Sequence, residues 1–456
     1  MRSLADYLVD CGMTVTGTDR SLHPAQIASF ADRKIQVWPQ AENRALPATV
    51  NTIIASAAIP EANPEWQAAV QQGKERFRYP EFLGQLSRKH RTCAIAGTHG
   101  KTTTSMLLAH LLNTAGAAPA FITGGRWQKS PCYGQGNNNS LLILEACEFQ
   151  RHFHNLSPQS AAILNLEPDH FDCYPDTAQL QSAFDEFARR VHPDGLLLVN
   201  AADPRALAAA AHSRCRRILV SLQCEKETRI ECEDASYVPI QILSESSAGT
   251  EFSISHGTVE IPSLKFPLPG KHQVMNAAFA SILALEHGLN ADQIRSGLQC
   301  FPGVVRRCEI RQHSSGSWFV DDYAHHPTEI RATLSALRTR FPGQELHICF
   351  QPHQIQRTNS LLNEFAEALL EADRVTILPV FAAREPEEAD RCTPSLQLVE
   401  SGNARGGKFE FCGSLDLCVR NLDDWIKNHP EPAAIHVTLG AGDIDRIYYE
   451  LSGFTD

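Results

Sequence analysis

Ala94-Ile95-Ala96-Gly97-Thr98-His99-Gly100-Lys101-Thr102-Thr103-Thr104 is the stretch whose reading decides the fold. A short apolar run ends in a glycine-bracketed loop, and the loop delivers Lys-Thr into an amphipathic segment, Ser105 to Ala115. Strand, loop and helix in that order present backbone N–H groups and a helix N-terminus to a polyphosphate. Gly97, Thr98, His99, Gly100, Lys101, Thr102 and Thr103 then form a phosphate cradle. Lys101 supplies a point charge near the β/γ-phosphates, and Thr102 a hydroxyl for Mg²⁺. ATP or GTP is the implied ligand. The generic phosphate-loop pattern places a glycine where Ile95 stands, so the spacing here is tighter. A bare Gly-Lys-Thr also occurs at ordinary helix starts; the strand before and helix after favour the nucleotide reading.

Outward from this loop, Thr92 to Cys300 alternates in the manner of a helix-flanked, mostly parallel sheet. The apolar runs predict strands over Thr92–Ala96, Leu141–Glu145, Ala161–Asn165 and Leu196–Asn200. Residues 216 to 266 read as shorter alternating runs, an antiparallel extension, and Pro267-Leu268-Pro269-Gly270 leads into a helix over Asn276–His287. A third α/β block begins near Phe301, with strands expected over Trp318–Tyr323, Leu346–Phe350, Val375–Val380 and Ile435–Leu439 and a helix over Thr328–Arg340. The first 85 residues read as short α/β units, with strands over Met13–Thr16 and Thr52–Ala55. Met1 to Leu8 reads as the helix that follows a glycine-rich turn in a Rossmann-like unit, so the first strand and turn are expected to be missing. The expected fold class is α/β in three domains: 1–85, 86–300 and 301–456.

Bulk composition agrees with several domains, since 456 residues exceed what one core organises. A hydrophobic share of 43% and a charged share of 20% describe an ordinary globular chain. The net charge of −11 argues against a general nucleic-acid or anionic-membrane surface, so an anionic substrate needs locally placed cations. The 14 cysteines include no Cys-x-x-Cys pair, which speaks for reduced thiols rather than zinc or a disulfide framework. No signal-peptide core and no membrane-length apolar run are visible, and the expected location is cytoplasmic.

Chemistry-bearing residues gather at predicted strand ends, where open α/β sheets bind ligands. Glu145-Ala146-Cys147-Glu148 ends one strand and Asn165-Leu166-Glu167-Pro168-Asp169-His170-Phe171-Asp172 the next. If these strands flank the loop strand, Glu145 and His170 join Thr102 as ligands for a divalent ion on phosphate oxygens. Alternatively, such acids are helix caps or solvated loops. Asp322-Tyr323-Ala324-His325-His326-Pro327-Thr328-Glu329 crowds another strand end, where Thr328 and Glu329 could equally be plain helix-start residues. Phe350 through Thr358 offers His353 and Arg357, a carboxylate clamp or a polar surface loop.

Together these motifs resemble the Mur ligases, ATP-dependent amide-forming enzymes of peptidoglycan precursor assembly. The resemblance spans essentially the whole chain. It rests on Gly97–Thr103, Asn165–Asp172, Pro269-Gly270-Lys271-His272 with Asn276-Ala277-Ala278, Arg306-Arg307, Asp321–Glu329, Phe350–Thr358 and Gly440-Ala441-Gly442-Asp443-Ile444. It implies a Rossmann-like UDP-binding domain, a central ATPase domain and a C-terminal Rossmann-like domain. The Asp321–Glu329 run, and the early Ser56-Ala57-Ala58-Ile59 with Asn63-Pro64-Glu65, favour the member that adds L-alanine to UDP-N-acetylmuramate through an acyl phosphate. By resemblance Lys101, His170 and Arg307 are catalytic, and Thr102, Glu145 and His170 hold Mg²⁺. Asn276 approaches adenine, Arg307 the phosphates and Asp322 the ribose. His325 and His326 lie near the nucleotide and the domain interface, with His325, His353 and Arg357 toward the substrate. A monomer or weak homodimer is expected.

The chain departs from the family pattern at Cys147, usually Asp, at Gln273, usually Asn, and at Gln354, usually Arg. These departures and the missing first turn leave two alternatives open. One is a homologue that binds nucleotide or UDP-sugar without turnover. The other is a ligase for another amino acid or a recycled peptide.

Overall fold

The computed structural model describes residues 1–454 except 21, 23, 41–45, 138–140, 224–234, 384, 387, 430–433 and 452. Thr92–Ala96 forms a strand with every residue buried, which is why it reads as an unbroken apolar run rather than an alternating one. It pairs in parallel with Leu142–Glu145 on one side and Ser160–Ile163 on the other. The register sets Ile95 against Glu145 and Ala96 against Ile163, so both acid-tipped strand ends flank the phosphate loop.

This trio is the middle of a ten-stranded sheet. Beyond Leu142–Glu145 come Ala120–Ile122 and the short antiparallel Gly134–Gln135. Beyond Ser160–Ile163 come Leu196–Asn200, Arg216–Leu222, Ala235–Ser246, Gly249–His256 and Val259–Phe266. Only the last two of these run antiparallel to their neighbours. Arg216–Leu222 is parallel to Leu196–Asn200, so the expected antiparallel extension begins later than position 216. Its inner face carries Ile218 and Val220 into the core, and burial on that face rather than hairpin chemistry sets the pairing.

Alternate residues of Thr92–Ala96 feed two cores. Cys93 and Ile95 point to the layer of helices Lys101–Thr114, Lys271–Glu286 and Ala291–Gln299, whose Leu107, Leu111, Phe279 and Ile294 are fully buried. Ala94 and Ala96 point to the opposite layer with Leu83, Phe184 and Phe187. Helix Lys271–Glu286 starts five residues before the expected Asn276, because Gly270 takes φ 99° at its N-cap.

Helix Arg2–Asp10 packs on the central sheet, with Leu4 and Tyr7 in the same core as Ile122 and Leu142. Ser3 Oγ accepts from Thr123 N at 2.9 Å and donates to Tyr133 O at 2.8 Å. Asp6 Oδ2 accepts from Tyr133 N at 2.9 Å, and Asp10 Oδ2 from Gly136 N at 3.1 Å. The approach is close enough that a Cβ on Gly134 would lie 2.1 Å from Ser3 O. The remaining N-terminal strands pair as two separate parallel ribbons, Thr16–Asp19 with Gln36–Pro39 and Thr52–Ala55 with Glu75–Arg78. The first of these strands begins at Thr16, where the apolar reading of Met13–Thr16 ends; Met13 is 60% exposed.

The C-terminal block has a six-stranded sheet in the order Glu309–Gln312, Trp318–Asp322, Ala434–Leu439, Glu345–Phe350, Arg374–Ile377 and Phe409–Phe411. Only the first pair is antiparallel. Helix Pro327–Arg340 lies on this sheet through Ile330, Leu334 and Leu337. The described cysteines form no disulfide, and no described helix is long and apolar enough to cross a membrane.

Candidate active site

The phosphate loop is shaped by two positive-φ glycines, Gly97 at 145° and Gly100 at 81°. A Cβ at Gly100 would meet Asn276 Oδ1 at 2.5 Å, so only glycine lets the loop seat against that helix. Asn165 fastens the loop from the neighbouring strand end. Its Oδ1 accepts from His99 N at 2.7 Å and its Nδ2 donates to His99 O at 3.1 Å.

Lys101 follows the loop as the first residue of its helix. Its ammonium donates to Gly97 O, to Thr98 O at 3.0 Å, and to Glu148 at 2.9 Å. Glu148 is buried, and burial alone would push Lys101 down and Glu148 up. Their mutual attraction outweighs this, leaving Lys101 above and Glu148 below its ordinary range. Both groups are therefore charged, and the lysine is pre-charged for an anion.

Thr102 points to the other flanking strand. Its Oγ1 donates to Glu145, 3.0 Å from each carboxylate oxygen, and Glu145 Oε2 also accepts from Gly124 N at 2.6 Å. Arg307 Nη2 reaches Thr102 Oγ1 at 3.4 Å from the C-terminal block, its guanidinium lying 4.8 Å from the Tyr323 ring centre. His170, at φ 53°, sets Nε2 3.5 Å from Glu148 Oε1, and its buried Nδ1 has no hydrogen-bond partner. A hydroxyl and a carboxylate side by side suit a hard divalent cation, and His170, whose Nδ1 has no partner while its Nε2 faces Glu148, offers a further nitrogen. The residue types present fit Mg²⁺.

The other sequence candidates fall into two groups. Asn276 is buried beside the loop helix, accepting from Thr104 Oγ1 at 3.2 Å and donating to Gln273 at 3.5 Å. Asp322 is buried and held by Cys308 N and Ala324 N, both at 3.0 Å, and by Thr333 Oγ1 at 3.2 Å. Burial raises its carboxyl to about 6, against the pull of Arg307.

His325, His353 and Arg357 form the second group. His325 contacts Tyr323 O at 3.0 Å through Nδ1, and burial lowers its ring to about 4, so it is neutral at pH 7. His353 stacks on Phe381, with ring centres 5.7 Å apart. Arg357, 2% exposed, donates through Nε and Nη2 to Asp169 Oδ1 at 2.8 and 2.6 Å, and through Nη1 to His353 O at 3.0 Å. The expected carboxylate clamp is thus occupied by a carboxylate of the protein itself. Beside it opens a cavity of about 230 Å³ lined by Phe171, Asp172, Gln354, Gln356, Arg357 and Glu385. A larger cleft, about 420 Å³, includes Asn359, Leu362 and Thr393 and none of the site residues above.

Glu148, Glu167 and Asp169 have no role in the sequence analysis, although each stands inside a motif singled out there; Glu329 stands there as a helix-start residue, and it does close the helix N-terminus by accepting from His326 N at 3.3 Å. Their signal is position: all lie within a few residues of a strand's carboxyl end. Their partners, Lys101 for Glu148, His99 for Glu167 and Glu329, and Arg357 for Asp169, are distant in sequence, so these pairings are invisible before folding.

Three family models match along the chain. The Mur ligase family catalytic domain covers 1–91, the Mur ligase middle domain 95–284, and the Mur ligase glutamate ligase domain 306–441. The chain is 33% identical over 395 residues to UDP-N-acetylmuramate--L-alanine ligase of Desulfitobacterium hafniense, covering 87% of this chain and 84% of that one. Against the Chlorobium phaeobacteroides (strain BS1) protein of the same name it is 33% identical over 460 residues, 99% and 94% of the two chains. Its fold is similar to that of UDP-N-acetylmuramate-alanine ligase MurC from Thermotoga maritima. There the TM-score is 0.77 at 22% identity, over 98% of this chain and 94% of that one. It is also similar to a murein peptide ligase from Psychrobacter arcticus, with TM-score 0.69 at 21% identity, over 98% and 95%.

Proposed function

The chain belongs to the Mur ligase family, and from that premise we propose that it joins L-alanine to the carboxylate of UDP-N-acetylmuramate, converting ATP to ADP and phosphate. As a Mur ligase it binds ATP and acts in peptidoglycan precursor synthesis. The finer assignment draws on the near-full-length relatives that carry that name. The observation that carries the chemistry is the convergence of Lys101, Thr102, Glu145, Glu148 and His170 at the carboxyl ends of three adjacent strands.

A carboxylate is a poor electrophile, and bringing it to a triphosphate sets two anions together. Lys101, released from Glu148, meets the β/γ-phosphates while the loop amides receive their oxygens. Thr102, Glu145 and His170 would hold Mg²⁺, which when bound neutralises phosphate charge and orients the γ-phosphoryl group. Arg307 brings a second cation from the C-terminal block to the same hydroxyl. The muramoyl carboxylate oxygen takes the γ-phosphoryl group and ADP leaves. The amine nitrogen of L-alanine then attacks the acyl carbon, loses a proton, and phosphate departs as the amide forms. Asn276 and Asp322 are proposed on the adenosine side, and His325, His353 and Arg357 on the amino-acid side. For Arg357 to clamp a substrate carboxylate, Asp169 must yield it.

The test is phosphate release from ATP with UDP-N-acetylmuramate and a panel of amines, each product being weighed by mass spectrometry. L-Alanine is expected to be the preferred acceptor. Preference for another amino acid or a peptide would move the chain to a different substrate, and no release with any amine would make it a non-turnover homologue.

A further inference from the structure

Where the C-terminal block meets the phosphate loop, three side chains from three separate elements converge: His99 of the loop, Glu167 beyond strand Ser160–Ile163, and His326 at the N-cap of helix Pro327–Arg340. One nitrogen or oxygen from each lies within 4.8 Å of the other two. His99 Nε2 and His326 Nδ1 are each 3.5 Å from the same oxygen, Glu167 Oε2. A tetrahedral ion with bonds of about 2.0–2.1 Å sets its donors about 3.3 Å apart, so the two imidazole–carboxylate spacings already match. Only the two rings must close up, from a centroid separation of 4.8 Å.

We propose that His99, Glu167 and His326 form a binding site for a divalent transition-metal ion of the Zn²⁺ class, distinct from the Mg²⁺ position at Thr102 and Glu145, and that the ion pins the C-terminal block onto the phosphate loop. Two imidazoles and one carboxylate are borderline donors, which favour Zn²⁺ or Co²⁺ over the hard Mg²⁺. His326 is 5% exposed, and the buried Nε2 of His99, the nitrogen that faces Glu167, has no hydrogen-bond partner. The outer shell is built as well. His99 Nδ1 lies 3.1 Å from Glu329 Oε1, the carboxylate contact that orients a metal-binding imidazole and leaves its other nitrogen for the ion. Thr328 Oγ1 donates to Glu167 Oε2 at 2.6 Å and fixes that carboxylate.

Charge points the same way. Glu167 and Glu329 bring two negative charges to the cluster, and a divalent ion with neutral imidazoles balances them. Metal on His326 Nδ1 would replace its 3.3 Å contact with Thr328 N, a long hydrogen bond and a small loss.

The experiment is a Co²⁺ titration of the full chain in excess Mg²⁺, read by visible d–d absorption with bound metal quantified after desalting. The expected result is one equivalent with the intense bands of a low-coordinate, imidazole-ligated ion, displaced by Zn²⁺. His326→Asn keeps an N-capping side chain but removes the imidazole, and Glu167→Gln keeps the Thr328 contact but removes the charge. Each should weaken binding by at least about tenfold with unchanged circular dichroism, and His326→Cys should restore it. His170→Gln, which alters the proposed Mg²⁺ position, should leave the bands in place. Absence of bands in the parent protein, their persistence in His326→Asn, or their loss in His170→Gln overturns the proposal. Because the readout is binding, it stands apart from whether L-alanine is the acceptor.

Discussion

The central block and the N-terminal strand pairs are both parallel α/β structure, yet they are held in very different ways. Thr92–Ala96 and Ser160–Ile163 of their shared sheet are buried on both faces, between two helical layers. Thr16–Asp19 and Gln36–Pro39 contain no fully buried residue and, among the described residues, pair only with each other. The difference teaches where rigidity is placed. A phosphate loop needs its amides held to a fraction of an ångström, which a strand buttressed on both sides provides. Helix Arg2–Asp10 shows that chain order does not decide which side of this contrast a segment joins, since its buried face and its side-chain hydrogen bonds belong with the central sheet.

The contrast can be broken most forcefully at Lys101. Lys101→Ala is expected to lower turnover at least about a thousandfold, as loss of a cation from a developing phosphoryl charge does. It also strands the buried Glu148 carboxylate, so stability should fall by about 3 kcal/mol. The double variant Lys101→Ala with Glu148→Gln should regain most of the melting temperature and none of the activity. Full activity in the single variant would remove Lys101 from the mechanism.

Truncating matched isoleucines sharpens the comparison next. Ile143→Ala, a fully buried side chain of the central sheet, should cost about 3 kcal/mol in urea unfolding, against about 1 kcal/mol or less for the half-buried Ile54→Ala. Equal losses would mean the ribbons are packed as tightly as the central sheet.

A smaller effect is expected at Ser3. Ser3→Ala deprives Thr123 N and Tyr133 O of their partner in a buried contact, a loss of about 1–2 kcal/mol. Hydrogen exchange at Thr123 should quicken with it. Unchanged exchange would show that the first helix docks without help from this hydroxyl.

The mildest perturbation is pH. His99 in the folded chain titrates at about 10, above the ordinary imidazole value of about 6.5, so the folded state binds the extra proton. Its contribution is complete below about pH 6.5 and is lost as pH rises through about 10. Melting temperature should therefore decline over this window in the parent, less steeply in His99→Asn, and unchanged in slope in the N-terminal variant Thr18→Val. An identical slope in His99→Asn would show that other groups govern the alkaline limb.

Much of this arrangement was legible before folding. Thr92–Ala96, Leu196–Asn200 and Thr52–Ala55 form strands over the expected residues, and Leu142–Glu145 and Pro327–Arg340 differ by one residue. Continuous apolar runs and sharp Gly or Pro boundaries leave little freedom in such segments. Arg216–Leu222 was harder, because an apolar run of that length suits parallel and antiparallel pairing alike and its neighbour decides. In the site, the loop and the acid-tipped strands were visible from residue type and position, but not which acid meets which base.

By itself, then, the sequence determined the phosphate loop, the order of strands and helices around it, and a family membership distributed over the whole chain. Those features are local, written in periodicity, glycine spacing and short motifs. Only the tertiary structure decided that Glu145 faces Thr102 while Glu148 holds Lys101, that Asp169 occupies Arg357, and that His99, Glu167 and His326 share one seam. Such contacts depend on strand order and on two blocks meeting face to face. They join residues far apart in the chain, 188 positions in the case of Asp169 and Arg357, and no local propensity encodes that separation.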